Sequence, residues 1–568
     1  MFTVGIDLGT TSSVVAFIQH GEPRAIPIDS GKKTTPSVVN YGESSPIIGR
    51  EAICKVDAAN TVFSIKRSMG TNKTFFGKTP EEISADILSF LKSSAEIQLR
   101  ERIENAVITV PAHFSEAQRI ATKRAASIAG IKVLRLISEP AAAAIAFGLD
   151  KKANGVYAVY DVGGGTFDFS ILRLSDGVFQ VLATGGDSFL GGDDVDDAIL
   201  EYNFARYGLD YSSITDSERM FGKLIVKSIK ECLGSGEVSR KNFVFKNEKY
   251  EFSVTKDEIA EICSKYVSRT FEIVEQAFKD ADVKNEDLDG VVLVGGMTKM
   301  QYVKDSVQNY FKTTIYDNLN PDEVVALGAA IQAKSIESNS KAVLLIDVAP
   351  LSIGVETLGG GVDKIIHRNT PIPVIQKREY TTYQDNQRGI KFQILQGERP
   401  LAKDCRSVAQ FELSGIPKMP AGVPRVIVEF YIDVNGLLNV KAYEKTTGVM
   451  QSITVEPSAG LTDEKMVEIL ENAMKNHEED EKNASYLFIK IESERQIIFW
   501  KSILNDIPEK ERKIAAEEIE LLKKALEDEN YHGVMKHKKN VENIVGEFLD
   551  EIVSEHFSRK GVNVAARK

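Results

Sequence analysis

Two short turns of this chain carry the residue types that bind phosphate. The first runs from Asp7 to Ser13 with the sequence Asp-Leu-Gly-Thr-Thr-Ser-Ser, and the second runs from Asp161 to Asp168 with the sequence Asp-Val-Gly-Gly-Gly-Thr-Phe-Asp. Glycine has no Cβ, so the backbone of each turn can approach a phosphate closely and adopt positive φ. Successive N–H groups and the hydroxyls of Thr10, Thr11 and Thr166 can then donate hydrogen bonds to the phosphate oxygens.

The carboxylates of the same turns indicate a cation. Asp7, Asp161 and Asp168 are negative like phosphate, so they fit only if a hydrated Mg²⁺ lies between them and the phosphate oxygens. Other phosphate-binding loops do not match. Asn72 stands where a P-loop ending at Lys78 would have its first glycine, and Asp168 stands where the dinucleotide fingerprint would have its last. Because the motif occurs twice, we predict two related lobes that face one nucleotide.

Alternating apolar residues flank both turns. Thr3 to Ile6 and Val14 to Ile18 surround the first turn, and Val156 to Tyr160 and Phe169 to Leu174 surround the second. Such alternation is typical of strands, so each turn is predicted to lie at the tip of a β-hairpin. A single copy would read as an ordinary glycine- and threonine-rich hairpin, but two matching copies favour the phosphate-binding interpretation.

The wider pattern predicts a multidomain chain, since 568 residues exceed what one core supports. Up to residue 340, short apolar strands such as Val107 to Ala112 and Val291 to Gly296 alternate with helical segments such as Ala117 to Ala129 and Ala141 to Gly148. The predicted segments are an α/β nucleotide-binding domain (1–340), a linker (341–350), a β-sandwich (351–457) and a helical lid (458–568).

Three features of the later segments can be checked directly. Val343 to Asp347 is apolar enough that it should dock against the protein. The sandwich should include strands at Ile390 to Ile394 and Val426 to Ile432. The lid should begin at Thr462 as an N-cap and break near Pro508.

Composition excludes several classes of function. The formal net charge of -12 and the pI of about 5.4 lack the basic footprint of a nucleic-acid-binding protein. We find no apolar run long enough to span a bilayer and no leader before the first strand, and the four cysteines are isolated in the sequence. We therefore expect a bacterial cytoplasmic protein without nucleic-acid or membrane partners.

Four motifs carry a family resemblance that runs from end to end of the chain. They are Gly5 to Thr11, Ser138 to Ala143 (Ser-Glu-Pro-Ala-Ala-Ala), Tyr160 to Asp168, and the Val-Leu-Leu of the linker. Together they resemble the seventy-kilodalton heat-shock chaperones. Further stretches resemble the HscA type, which is specialised for iron-sulfur cluster assembly; they are Ile171–Phe179, Leu182–Ser188, Gln396–Arg399, Asp404–Ser407, Glu444–Val449 and Gly460–Asp463.

The resemblance implies an actin-like, two-lobed ATPase domain with ATP or ADP and Mg²⁺ as cofactors. Lys66 would position and polarise the attacking water, and Thr166 would meet the γ-phosphate. The full catalytic set would be Lys66, Glu139, Thr166, Asp161 and Asp7, with Asp7, Asp161 and Asp168 holding Mg²⁺ through water. The nucleotide-binding set would be Gly9, Thr10, Thr11, Ser12, Gly163, Gly164, Gly165, Asp168, Lys230, Gly295, Gly296, Lys299 and Asp322.

The same resemblance implies a relay between the nucleotide and a peptide cleft. Glu139, Pro111 and Arg119 would form the relay, while a J-domain co-chaperone and the linker would act on it through Arg135, Leu344, Leu345 and Asp347. Leu358, Tyr380, Tyr383, Ile390, Phe392 and Val426 would contact the peptide. The implied ligand is a Leu-Pro-Pro-Val-like segment of an iron-sulfur scaffold protein, bound by a monomeric chaperone.

The chain also departs from this family. The segment from Gly70 to Ser84 is shortened. Where the family's adenine clamp usually has Glu, Lys, Arg and Ser, this chain has Lys227, Lys230, Glu231 and Gly234. Met297 and Lys299 replace a serine and an arginine that can stack on the base. We therefore expect phosphate binding to be intact and base binding to be weakened.

Other functions remain open. A general protein-folding chaperone of the same family is the main alternative. A metabolite kinase and an actin-like filament share the two-lobed plan, but neither accounts for the linker or for the roughly 200 residues of sandwich and helices that follow it.

Overall fold

The computed structural model describes most of the chain in two compact units. The described residues are 2–43, 45–55, 60–151, 154–187, 189–233, 238–246, 248–338, 343–357, 359–454, parts of 489–504, 507–528 and 530–559. The first unit comprises Met1–Gly354, Lys364–Gln396 and Ser407–Leu470, and the second comprises Val355–Asp363, Gly397–Arg406 and Glu471–Lys568. Within the described part of the chain, no helix is both long and apolar enough to cross a membrane.

The strands are numbered here in chain order. They are β1 (Phe2–Asp7), β2 (Ser12–Gln19), β3 (Glu22–Ala25), β4 (Thr34–Pro36), β5 (Val39–Asn40), β6 (Ile47–Ile48), β7 (Thr61–Val62), β8 (Ile103–Val110), β9 (Lys132–Ser138), β10 (Gly155–Val162), β11 (Phe167–Ser175), β12 (Val178–Asp187), β13 (Val238–Phe245), β14 (Glu248–Thr255), β15 (Gly290–Val294), β16 (Ile315–Tyr316), β17 (Leu344–Val348), β18 (Ile353–Glu356), β19 (Val362–Ile366), β20 (Pro371–Ile372), β21 (Val374–Tyr380), β22 (Gly389–Gln396), β23 (Arg406–Ser414), β24 (Val426–Ile432), β25 (Leu438–Glu444) and β26 (Met450–Thr454).

The α-helices are numbered in the same way. They are α1 (Arg50–Cys54), α2 (Pro80–Leu99), α3 (Glu116–Ile128), α4 (Glu139–Lys151), α5 (Gly192–Arg206), α6 (Asp216–Cys232), α7 (Lys256–Ala281), α8 (Gln301–Phe311), α9 (Val324–Glu337), α10 (Glu509–Glu527) and α11 (Tyr531–Arg559).

The first sheet carries the first phosphate-binding turn. Its strand order is β3-β2-β1-β8-β9, with β4 also paired to β2. β1 and β2 are antiparallel and form the predicted hairpin, while β8 runs parallel to β1 and β9 runs parallel to β8. Val4 and Ile6 of β1 are fully buried, so the apolar alternation in the sequence anchors this hairpin in the core.

The second sheet repeats that arrangement around the second turn. Its strand order is β16-β15-β10-β11-β12-β17-β20. β10 and β11 form the second predicted hairpin, and β15 and β16 continue parallel to β10. Both hairpin predictions are therefore confirmed, and each hairpin lies beside two parallel strands.

Alanine-rich helices allow close packing between these sheets. The predicted helix at Ala141 to Gly148 is part of α4, which packs against α9. A Cβ on Gly328 of α9 would lie 1.8 Å from the main-chain oxygen of Ala142, and one on Gly5 of β1 would lie 2.1 Å from the amide nitrogen of Ala330. Only glycine fits at these two contacts, because a methyl group would overlap the neighbouring backbone.

The predicted helix at Ala117 to Ala129 is α3, which starts one residue earlier. A capping box fixes its beginning, because the Ser115 side chain accepts from the Gln118 amide while the Gln118 side chain accepts from the Ser115 amide. The helix therefore begins where the sequence places its cap.

The apolar linker docks as a strand. β17 runs parallel to β12, with Leu344 opposite Val178 and Leu345 opposite Phe179. Leu345 is 4% exposed, whereas Leu344 is 52% exposed. The prediction that this stretch docks is confirmed, and the strand alternation decides which of the two leucines is buried.

The sandwich strands lie close to their predicted positions. β21, β24, β25 and β26 form one antiparallel sheet in that order, and β22 and β23 are neighbours in another. Val426 to Ile432 is β24, and the predicted strand at Ile390 to Ile394 lies within β22. The side-chain alternation of β24 buries Val426, Val428 and Phe430.

The described part of the second unit is largely helical. Pro508 immediately precedes α10, which confirms the predicted break there, while Thr462 lies outside the described residues. A further break between α10 and α11 was not predicted. The Asn530 amide donates to the Ala525 oxygen and its side-chain oxygen accepts from the Gly533 amide at 3.1 Å, so this asparagine ends one helix and caps the next.

Candidate functional site

The two phosphate-binding turns face each other. A Cβ on Gly164 would lie 2.3 Å from the Thr11 Cγ2 atom, and a Cβ on Gly165 would lie 2.5 Å from the Thr10 Cγ2 atom. The expectation that the turn glycines adopt positive φ is wrong, since Gly9 and the second-turn glycines lie outside that region. These glycines are required for space, because the turn of one hairpin packs directly against the turn of the other.

A cleft of about 1380 Å³ opens at this junction. The predicted residues that line it are Asp7, Gly9, Thr10, Thr11, Ser12, Glu139, Asp161, Gly163, Gly164, Thr166, Lys230, Gly295, Gly296, Lys299 and Asp322. Lys66, Gly165 and Asp168 are not among the residues that line the cleft. The fold therefore brings together residues that are more than 300 positions apart.

The beginning of α5 supports the second turn, and the sequence analysis missed it. The Gly192 amide donates to the Gly163 oxygen at 3.0 Å, and the Asp193 amide donates to the Gly164 oxygen at 2.6 Å. A Cβ on Gly191 would lie 2.8 Å from the Gly164 oxygen. The Gly-Gly-Asp-Asp run that starts at Gly191 was the available signal, since paired glycines before a helix allow such close approach.

Arg67 is a second missed residue. Its Nη2 atom donates to the Gly165 oxygen at 2.6 Å and to the Asp194 carboxylate at 2.8 Å. The Arg67 guanidinium also lies 5.3 Å from the centre of the Phe189 ring. Arg67 thus connects the first part of the chain to the second phosphate-binding turn. Its only sequence signal is that it follows Lys66.

Lys66 and Glu139 form a buried ion pair. Burial raises the pKa of Glu139 to about 7, against the opposing effect of the Lys66 charge. Glu139 is the first residue of α4, and its carboxylate also lines the cleft. The predicted catalytic lysine is therefore adjacent to the cleft, with its ammonium held by the predicted relay carboxylate.

Of the three predicted metal-site aspartates, Asp161 and Asp168 are buried and Asp7 is half-buried. Burial raises the pKa of Asp7, and it raises the pKa of Asp161 well above its ordinary value, with the charge of Glu139 adding to the effect at Asp161. The Thr109 hydroxyl donates to Asp7 Oδ1 at 2.8 Å. The charge of Lys66 opposes the shift of the pKa at both Asp7 and Asp161.

The two carboxylate oxygens of Asp168 differ in their hydrogen bonds. Its Oδ1 atom accepts from the Ala112 amide at 2.8 Å and lies 2.9 Å from His113 Nδ1. Its buried Oδ2 atom has no hydrogen-bond partner among the described residues. His113 is a third residue that the sequence analysis did not identify.

These residues fit a hydrated divalent cation. The donor set is made of carboxylate oxygens, which Mg²⁺ prefers, and one buried oxygen has no protein partner. Among the described residues, no group of three or more His, Cys, Asp or Glu side chains is arranged to hold a metal ion directly. Water-mediated binding by Asp7, Asp161 and Asp168 stays a prediction.

Two predicted nucleotide-binding lysines of the cleft, Lys230 and Lys299, form ion pairs within the protein. Lys230 Nζ lies 2.7 Å from the Asp196 carboxylate and donates to the Gly192 oxygen at 2.9 Å. Lys299 forms an ion pair with Asp322. Because both ammonium groups have carboxylate partners, neither needs a nucleotide to satisfy its charge.

The predicted relay begins beside Asp168. The main-chain oxygen of Pro111 accepts from the Phe114 amide at 3.2 Å. Arg119 is buried and donates from Nε to the Phe114 oxygen and from Nη2 to the Ala112 oxygen, both at 3.1 Å. Burial lowers the pKa of Arg119, and the charge of Asp347 opposes that shift. The arginine therefore holds the loop that carries the Asp168 partners.

Arg135 connects β9 to the linker strand. Its Nη2 atom donates to the Leu345 main-chain oxygen at 3.2 Å. Burial lowers the pKa of Arg135, and Asp347 again opposes the shift. The structure thus places three of the predicted coupling residues, Arg135, Leu345 and Asp347, in one region.

The predicted peptide-binding residues differ in how exposed their side chains are. Tyr380 lies opposite Val426 in the β21–β24 pair, and its ring is 5.9 Å from that of Phe392. Val426 and Phe392 are buried, Ile390 is half-buried and Tyr383 is 58% exposed. Leu358 lies outside the described residues. Their role in peptide binding stays a prediction.

Comparison with known proteins identifies the class to which this fold and site belong. A family model described as Hsp70 protein matches residues 3–77 and 73–554, so the chain belongs to the Hsp70 family, whose members are chaperones with ATPase activity. Similar relatives are the proteins named Chaperone protein HscA homolog from Burkholderia mallei, Burkholderia pseudomallei and Burkholderia multivorans. Each is 44% identical over 525 residues, which cover 87% of this chain and 84% of the relative.

Proposed function

We propose that this chain is an ATP-dependent chaperone whose hydrolysis of ATP to ADP and phosphate drives binding and release of a short peptide segment. Residues 1–340 form the actin-like, two-lobed ATPase domain, 341–350 the linker, 351–457 the β-sandwich and 458–568 the lid. One observation carries the proposal. The second phosphate-binding turn joins β10 to β11, and β11 pairs with β12, which in turn pairs with the linker strand β17. The nucleotide cleft and the linker therefore share one sheet.

The residues of the cleft support phosphoryl transfer to water. In this proposal the amides and hydroxyls of the two turns hold the phosphates, and Thr166, which lines the cleft, donates to the γ-phosphate. Lys66, released from Glu139, orients and polarises the attacking water. Reactions of this kind proceed by positioning and electrostatic stabilisation.

The carboxylates of the site complement the phosphate-binding turns by offering a site for a cation. Asp7, Asp161 and Asp168 would hold a hydrated cation, which would supply positive charge next to the phosphates. Glu139 forms an ion pair with Lys66 and is the first residue of α4. A change in the position of the Lys66 ammonium therefore acts on the beginning of this helix. Slow turnover suits this arrangement, because the hydrolysis acts as a timer for the conformational cycle.

The protein that this chaperone binds can be inferred from the relatives of the chain. HscA homologues are the similar relatives, and the sequence stretches that resemble the HscA type support a role in iron-sulfur cluster assembly. We infer that the β-sandwich binds a Leu-Pro-Pro-Val-like segment of the scaffold protein. Proline restricts such a segment to an extended form, which lowers the entropy lost on binding.

The proposal is tested by measuring ATP hydrolysis with the iron-sulfur scaffold protein, with and without its J-domain co-chaperone. We expect the scaffold to stimulate turnover, and the J-domain partner to increase the stimulation more than additively. A scaffold protein whose Leu-Pro-Pro-Val-like segment is replaced by alanines is the matched control and should not stimulate. Equal stimulation by an arbitrary unfolded protein would identify a general folding chaperone, while ADP formation only with an added sugar, together with phosphorylation of that sugar, would identify a kinase.

A further inference from the structure

We propose that Arg67 is a positioning residue for nucleotide binding, which fixes the peptide between Gly165 and Thr166 so that the Thr166 amide donates to the γ-phosphate. This inference rests on the proposed nucleotide function of the same cleft. Its basis is the hydrogen bonding of the carbonyl groups in the second phosphate-binding turn, one of which is bound by a side chain 98 residues away.

The glycines of the second turn leave its peptide groups free to rotate unless other groups hold them. Gly163, Gly164 and Gly165 follow each other, and a glycine restricts the orientation of the following peptide very little. The Gly163 amide donates to the Thr166 oxygen at 2.9 Å, which closes the turn. The carbonyl groups of the three glycines accept from groups outside the turn.

The beginning of α5 holds the first two of these carbonyl groups, through the amides of its first two residues. The amides of Asp194 and Val195 donate instead to the Gly191 oxygen, at 3.2 and 3.3 Å, within the first turn of the helix. The third carbonyl group, that of Gly165, accepts from the side chain of Arg67. The orientation of the last peptide of the turn therefore depends on a side chain from a distant segment.

Arg67 holds the Gly165 carbonyl with two donors. Its Nη2 and Nε atoms lie 2.6 and 3.1 Å from the Gly165 oxygen. Nη2 also donates at 2.8 Å to Asp194 Oδ2, which accepts from the Gly191 amide as well. A Cβ on Gly165 would lie 2.9 Å from Arg67 Nε and 2.5 Å from Thr10 Cγ2. The carbonyl is therefore held by a guanidinium that is itself anchored to the beginning of α5.

Fixing the Gly165 carbonyl also fixes the Thr166 amide. The peptide that joins these two residues is trans, and in a trans peptide the C=O and the N–H point in opposite directions. Thr166 lines the cleft, whereas Arg67 does not. The Thr166 N–H is thus directed away from Arg67, where it can donate to a phosphate oxygen in the cleft.

An amide held in this way distinguishes ATP from ADP. Thr166 is the residue proposed to meet the γ-phosphate, which ATP has and ADP lacks. Hydrogen bonds to charged groups are stronger than those between neutral groups, and a peptide that rotates freely would lose much of this contribution. Loss of the Arg67 side chain should therefore weaken the binding of ATP more than the binding of ADP.

Equilibrium titration of the full-length chain with the magnesium complexes of ADP and of the non-hydrolysable β,γ-imido analogue of ATP tests the proposal. Arg67→Ala should weaken the analogue by about 10-fold and ADP by less than about twofold, as loss of one hydrogen bond to a charged group predicts. Arg67→Lys keeps the positive charge but replaces the planar pair of donors by one ammonium, so it should weaken the analogue by about threefold. Arg24→Ala, at an exposed arginine of β3, is the matched control and should change neither affinity.

Ser64→Gly separates the orientation of the peptide from the contact between the two segments. The Ser64 hydroxyl donates to Asp193 at 2.7 Å, so it joins the segment of Arg67 to the beginning of α5 through a different bond. Ser64 has a left-handed backbone with φ of 49°, which glycine adopts readily. The ratio of the two Kd values should stay unchanged in this variant. A change as large as that in Arg67→Ala would overturn the inference.

Two further results would overturn the inference while leaving the proposed function intact. They are an equal weakening of both nucleotides in folded Arg67→Ala, and a wild-type ratio of the two Kd values in Arg67→Lys. Should Arg67→Ala fail to fold, as judged by circular dichroism, Arg67→Lys decides alone. If neither nucleotide binds the wild type, the proposed function fails together with the inference.

Discussion

Arg119 in α3 donates a hydrogen bond from Nη1 to the main-chain oxygen of Asn435, 316 residues later in the chain, at 3.3 Å. The Asn435 side chain in turn accepts from the Leu136 amide at 3.0 Å. Asn435 lies in the turn between β24 and β25, and a Cβ on the adjacent Gly436 would be 3.2 Å from Arg119 Nε. The turn between β24 and β25 therefore contacts the same arginine that holds the loop beside Asp168.

Removing the Asn435 side chain should weaken coupling between peptide and nucleotide. Asn435→Ala leaves the Leu136 amide without its acceptor, at a cost of about 1 kcal/mol in the docked arrangement. We expect the ratio of peptide-stimulated to basal hydrolysis to fall by about fivefold while basal turnover changes little. Asn242→Ala, on the exposed face of β13, serves as control. An unchanged stimulation ratio in Asn435→Ala would show that this turn does not carry the signal.

The linker offers a sharper test because two adjacent leucines differ in burial. Leu345→Asp places a charge where the wild-type residue is 4% exposed, which should cost several kcal/mol and favour the undocked linker. Leu344→Asp makes the same change at a residue that is 52% exposed and should cost much less. We expect peptide stimulation of hydrolysis to be lost only in Leu345→Asp, with basal hydrolysis retained in both. Equal behaviour of the two variants would contradict docking by strand alternation.

Lys66→Ala should abolish hydrolysis but not binding. In the proposed function the two turns hold the phosphates and Lys66 acts on the attacking water, so turnover should fall by roughly 10²- to 10³-fold with little change in the Kd for ATP. Single-turnover hydrolysis and equilibrium titration measure the two quantities separately. Lys132→Ala, an exposed lysine of β9, is the control. Turnover within a few-fold of wild type would remove Lys66 from the catalytic set.

ADP should dissociate rapidly without an exchange factor. Lys299 is occupied by Asp322 and Lys230 by Asp196, so the base gains little from either ammonium and the nucleotide depends on its phosphates. Stopped-flow displacement of a fluorescent ADP analogue measures the rate. Lys299→Arg should slow release several-fold by restoring a planar group that stacks on the base. Slow release in the wild type, accelerated by an added exchange factor, would refute this account.

Tyr383 should influence which peptide is preferred. It is 58% exposed and follows β21, whereas two other predicted peptide-binding residues, Val426 and Phe392, are buried. In competition binding, the wild type should favour a Leu-Pro-Pro-Val-like peptide over a leucine-rich one, and Tyr383→Ala should reduce that preference. Tyr431→Ala, an exposed tyrosine of β24, should leave it unchanged. Similar affinity of the wild type for both peptides would favour a general folding chaperone.

Local patterns predicted the elements that carry the chemistry. The two hairpins, the helices α3 and α4 and the break before α10 follow from periodicity, caps and proline, which act over a few residues. The phosphate-binding turns were found in the same way, since their glycines, threonines and aspartates are adjacent in the sequence. The expected reason for glycine in the turns was only partly right. Gly164 and Gly165 leave space for Thr11 and Thr10, and this contact depends on two segments that are distant in the sequence.

The sequence by itself determined which residues could bind phosphate, which segments form strands and helices, and that the linker must be buried. The tertiary structure decided which of the two linker leucines faces the core, and it brought Arg67, His113 and the beginning of α5 to the second turn. It also paired Lys299 with Asp322. These relationships join residues that are far apart in the chain, and no local spacing encodes them. They arise when the sheets and helices pack together, because packing determines which buried charges have an oppositely charged partner.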